Sequence, residues 1–108
     1  MSRLLLALLL SAPFAAGAEA DTVPAQFWLD TRSGASVLAE PAVSRAVQRF
    51  LERPGARLVL RHGRGDESTA HAEELRGWLI ALGVDAGRVE LAESGGVDRT
   101  VTIETLSH

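Results

Sequence analysis

Two stretches of this chain carry apolar residues on one helical face only, and that restricts its fold more than any other feature. Val43, Ala46, Val47, Phe50 and Leu51 fall at i, i+3, i+4, i+7 and i+8, a single stripe on a helix. Ala72, Leu75, Leu79 and Leu82 repeat the spacing further on, with Trp78 and Ile80 widening the stripe. A helix with one apolar face must bury it against another layer. The boundaries are marked as well. Pro41 stands where a proline fits the first helical turn, and Pro54-Gly55 stops the first helix near Arg53. Asp66 or Ser68 is expected to cap the second, with Glu67 in its first turn. Gly83 then ends it as the residue that turns left-handed after the last turn.

Short apolar runs supply the second layer. Ala25 to Asp30 holds Phe27, Trp28 and Leu29 together and reads as a first strand. Ala56 to His62 holds Leu58, Val59 and Leu60, flanked by charge. Arg88 to Ala92 turns Val89 and Leu91 inward. Arg99 to Leu106 puts Val101 and Ile103 on one face and Thr100, Thr102 and Glu104 on the other. Asp21 to Pro24 reads as a loose leader and Thr31 to Ser36 as a turn, after which Val37 and Leu38 return to the core. Gly63-Arg64-Gly65 and Glu93-Ser94-Gly95-Gly96 are loops. The expectation is an α+β two-layer sandwich, β-α-β-α-β-β, with a mixed four-stranded sheet and two helices on one face. Residues 27–106 form that domain and 21–26 lead into it.

The first 20 residues read as an export signal. Arg3 gives a positive start, Leu4 to Leu10 is an unbroken apolar run, and Ala18-Glu19-Ala20 is a small-x-small cleavage site. The apolar stretch from Leu4 to Ala18, 15 residues, is shorter than the roughly 18 of a spanning helix. Cleavage near Ala20 would deliver a product to the periplasm with no membrane span. No cysteine is present, which removes disulfides, thiolate chemistry and lipid attachment through sulfur. A net charge of -3 argues against nucleic acid as a partner.

Few residues suggest reaction chemistry. His62, Asp66 and His71 have no zinc-ligand spacing, so neither a metal nor a cofactor is expected. The serines lack a nucleophile-elbow context. Glu73 and Glu74 are neighbours on a helix, point apart and read as solvated. Arg45, Arg49 and Arg53 recur every fourth residue, and such a stripe is most often a solvated helix face. Arg64-Gly65-Asp66 spells an adhesion tripeptide, but a loop glycine and a helix cap explain it. The chain is expected to bind rather than catalyse.

Three segments resemble the OmpA-like C-terminal domain family of Gram-negative envelopes. Leu58-Val59-Leu60-Arg61-His62-Gly63 is similar to that family's strand leading into a Gly-His-Thr-Asp loop. His71-Ala72 with Leu75, followed by Leu79-Ile80-Ala81-Leu82-Gly83-Val84, resembles its second helix. Asp98-Arg99-Thr100-Val101-Thr102-Ile103-Glu104 resembles its closing strand. The resemblance implies a periplasmic module that holds peptidoglycan, with a loop aspartate and a helix arginine gripping the diaminopimelate of the stem peptide. A guanidinium fork suits a carboxylate and an acid suits an amine. Here Arg64 stands at the aspartate position and His71 at the arginine position, with Asp66 as the acid that could replace the first. Arg64, Asp66 and His71 are therefore the candidate wall-binding residues. The alternative is an envelope module that binds a protein partner and has lost the wall site.

Overall fold

The computed structural model of the chain describes residues 18–94 and 100–107. Strand β1 (Ala18–Val23) leads through a 3-10 turn (Ala25–Leu29) into a short helix α1 (Gly34–Ala39) and then helix α2 (Pro41–Glu52). Strand β2 (Arg57–His62), helix α3 (Asp66–Ala81), strand β3 (Val89–Glu93) and strand β4 (Val101–Leu106) follow. The strands form one mixed sheet in the order β1-β4-β2-β3. β4 is antiparallel to both β1 and β2, and β2 is parallel to β3. The expected α+β architecture, with a mixed four-stranded sheet and two main helices, is what the chain adopts.

Register assigns the faces. Asp21, Ile103 and Leu60 align across three strands, as do Val23, Val101 and His62. All six are buried. With Leu58, Leu75, Leu79, Val43 and Ala46 they form the layer between sheet and helices. The opposite sheet face is largely polar. Arg57 pairs with Glu90 at 2.8 Å, Arg61 with Glu104 at 3.0 Å, and Thr22 shares a hydrogen bond with Thr102. An antiparallel-edged sheet with one wet face carries this alternation.

Several local expectations are corrected. The first strand is Ala18–Val23, so Asp21 to Pro24 is mostly strand rather than loose leader, and the sheet begins before residue 27. Phe27-Trp28-Leu29 is a 3-10 turn in which Trp28 is buried and Leu29 is 82% exposed. The Thr31–Ser36 turn gives way to α1, started by a capping box in which Ser33 and Ser36 satisfy each other's backbone N–H. Val37 enters the core, but Leu38 stays exposed, as does Leu51 on α2. Helix α3 is capped neither by Asp66 nor by Ser68. Its N-cap is Gly65 at φ 108°, a conformation that suits glycine, and Asp66 is already the first helical residue. Gly83 ends α3 as expected: at φ 109° it lets Val84 N–H reach Leu79 O and its own N–H reach Ile80 O, a paired closure of the last turn. The turn expected from Glu93 to Gly96 lies partly outside the described residues, and so does the start of the Arg99 to Leu106 strand.

The arginine stripe is not a solvated face. Arg45 and Arg49 donate to the two carboxylate oxygens of Asp21, which is only 5% exposed. Arg49 also meets Glu19 at 2.9 Å, and Arg53 meets Glu19 at 2.8 Å. Glu19 and Asp21 sit two apart on β1, hence on the same side, toward α2. Burial pushes the Asp21 carboxyl up, but hydrogen bonds from Arg45 and Arg49 and the attraction of both cations outweigh it, leaving the group below its ordinary value.

Candidate binding site

Helix α3 and the 3-10 turn form a groove between them. Ala25, Gln26, Trp28 and Leu29 make one wall, Glu67 and His71 the other, around a cavity of about 300 Å³. Glu67 and His71 are one helical turn apart, so both reach the same side of α3. The His71 ring lies flat on Trp28, with ring centroids 4.3 Å apart and planes 2° from parallel. Phe27 meets Trp28 edge-on at 4.9 Å. Trp28 Nε1 and His71 Nδ1 are buried without a hydrogen-bond partner among the described residues.

Behind the groove, Arg32 ties the connection to α3. Its guanidinium sits 5.2 Å from the Trp28 ring centre, donates to Trp28 O and Asp30 O, and grips both carboxylate oxygens of Glu74. Trp78 Nε1 donates to the same carboxylate at 3.0 Å. The Arg32 hydrogen bond first, with help from Trp78 and against the effect of burial, holds Glu74 below the usual glutamate range. Arg32 is raised by its hydrogen bond to Glu74. Of the two adjacent acids, Glu73 is exposed as expected, whereas Glu74 is a half-buried anchor.

Of the three candidate wall-binding residues, the structure brings only His71 to this groove. Asp66 is exposed and five residues before His71, about 140° round the helix at 3.6 residues per turn. Arg64 is exposed in the loop ahead of α3. Glu67, beside Asp66, is the acid that lines the groove with His71. Its i, i+4 relation to His71 was visible in the sequence. Trp28 and Arg32 carried no such signal, because Trp28 lies in an apolar run that reads as a strand and Arg32 in a segment that reads as a turn.

Other polar groups serve the fold. His62 is buried, and its Nδ1 lies 2.9 Å from Gly63 O. Ser44 donates to Leu38 O and Ser94 to His62 O. Among the described residues no three His, Asp or Glu side chains gather as metal ligands, and no helix is long and apolar enough to cross a membrane. The chain matches no protein-family model and no curated protein.

Proposed function

We propose that the chain is an exported, non-catalytic module of the cell envelope, resembling OmpA-like domains, that binds a peptidoglycan stem peptide in the Trp28–His71 groove. The observation that carries this reading is that Glu67 and His71 line one cavity against an aromatic wall. A carboxylate can take the ligand's amine, and an imidazole can take its carboxylate, as donor or as cation. The reading keeps His71 from the family resemblance, replaces Asp66 by Glu67, and leaves Arg64 at the loop as a peripheral cation.

The test is co-sedimentation of the protein with purified sacculi, with and without excess free diaminopimelate. Wild type should sediment and be released by the competitor. Glu67→Gln should weaken sedimentation, and His71→Arg should retain or strengthen it. No sedimentation by wild type or His71→Arg removes the wall reading.

A second reading, an envelope module that binds a protein partner, draws on a different surface. Leu38 and Leu51, 48% and 67% exposed, flank Val47 in a shallow cavity of about 400 Å³ on the outer side of α2. Apolar side chains grouped at a rim of Gln48 and Glu52 suit a protein contact. Under this reading Leu51→Glu abolishes the contact and leaves sacculus behaviour unchanged.

A further inference from the structure

We propose that the mature chain begins at Glu19, because the envelope peptidase hydrolyses the Ala18–Glu19 bond rather than Ala20–Asp21. This rests on the exported reading above. Water adds its oxygen to the Ala18 carbonyl carbon, which leaves as a carboxylate on the discarded leader, and the Glu19 nitrogen departs as the new ammonium. The peptidase is of the class that requires small side chains one and three residues before the cut.

The sequence offers that pattern twice. Ala16-Gly17-Ala18 places alanines at both positions for a cut before Glu19, and Ala18-Glu19-Ala20 does so for a cut before Asp21. The fold separates the two products. β1 pairs with β4 from Ala18 opposite Leu106 to Val23 opposite Val101. A chain starting at Asp21 loses half of this ladder. It also loses Glu19, the carboxylate that meets both Arg49 and Arg53, and Arg53 keeps a 3.5 Å hydrogen bond to Ser107.

The new terminus matters as much. A cut before Asp21 places an ammonium on the residue whose carboxylate already holds Arg45 and Arg49, adding a third cation to a single buried acid. Among the described residues a cut before Glu19 loses one paired position, Ala18 opposite Leu106, and retains the pairs that Glu19 and Asp21 make with Arg45, Arg49 and Arg53. Its ammonium falls at the outer end of the strand, next to a carboxylate that is 45% exposed and can offset it. Like charges around one acid are unfavourable, and an added acid nearby is favourable.

Intact-mass analysis of the protein recovered from the periplasmic fraction of cells expressing the full chain tests this. Wild type should have the mass of residues 19–108. Ala16→Gln, which alters only the first pattern, should remove that product, whether precursor accumulates or the cut moves to Ala20. Ala20→Gln, which alters only the second and replaces an exposed residue on the wet sheet face, should leave the Glu19 start unchanged. A wild-type mass of residues 21–108, or loss of processing in Ala20→Gln alone, overturns the assignment and leaves export standing. A wild-type chain that keeps Met1 and stays in the cytoplasm overturns the exported reading itself.

Discussion

Helix α2 meets strand β1 through Glu19, Asp21 and three arginines, whereas helix α3 meets β2 through Leu58, Leu60, Leu75 and Leu79. Both helices lie over the same sheet, but the residues that α2 buries are small, Ala42, Val43 and Ala46, while α3 buries two leucines beside Ala72. Arg76 on α3 spends its hydrogen bonds on the carbonyls of Ala86 and Val89, not on an acid. One half is therefore fastened by charge at an edge strand and the other by apolar contact near the sheet centre. The difference is that acid should loosen the α2–β1 junction through the buried Asp21, whereas the apolar layer between α3 and β2 holds no titrating group and α3 feels acid at its partly solvated Glu74–Arg32 pair.

The largest effect should come from the apolar half. Leu75→Ala, at a site with no solvent exposure, should cost about 2–5 kcal/mol in urea unfolding. The cost should be the same in neutral and mildly acidic buffer. A loss that shrinks in acid would show that charge also governs this half.

Next is Asp21→Asn, which should cost about 2 kcal/mol at neutral pH, since two charge-assisted hydrogen bonds weaken around a buried group. The sign of its pH dependence follows from the lowered carboxyl. Its stabilisation is fully present above the unfolded value, near pH 4 for aspartate, and is lost as pH falls through the lower folded value. Wild type should thus lose stability in acid more steeply than Asp21→Asn, and the two curves should converge. Parallel curves would break the comparison.

Glu74→Gln should be milder, about 1 kcal/mol, because the Arg32 pair is partly solvated. Its acid dependence has the same sign as that of Asp21. Nuclear magnetic resonance of the Trp78 indole N–H offers a local check, since the proton should shift when its acceptor loses charge. The smallest effect is expected for Leu51→Gln, within about 0.5 kcal/mol, as for other exposed positions. A larger destabilisation would mean that α2 relies on its outer apolar residues in addition to its arginines.

The same division explains what was legible in the sequence. Helices α2 and α3, strands β2, β3 and β4, and the Gly83 closure follow from apolar periodicity and terminators. Strand β1 does not, because two of its three inward positions, Glu19, Asp21 and Val23, are acids, and a pattern of apolar residues is blind to a strand held through ion pairs. Phe27-Trp28-Leu29 attracted the strand assignment, although only Trp28 is buried and the run is too tightly wound to alternate. The arginine stripe read as solvated for the same reason, its partners lying in the stretch that reads as an export signal (Glu19) and in the loose leader after it (Asp21). At the site, His71 was found by resemblance and Glu67 by neither route. Asp66 and Glu67 are adjacent in sequence, and it is the four-residue spacing to His71 that turns Glu67, not Asp66, toward the groove.

The strand order has a consequence for the order of events in synthesis. β4, the last of the described strands to be made, lies between β1 and β2, so β1 lacks its sheet neighbour until β4 has emerged. The contacts that close the sheet join residues separated by nearly the full length of the chain, and such distant pairings form late and slowly. A chain made only as far as β3 therefore cannot seat β1. β1 stays without that partner until β4 has been made, the condition a chain must meet if it is to be threaded across a membrane before it folds.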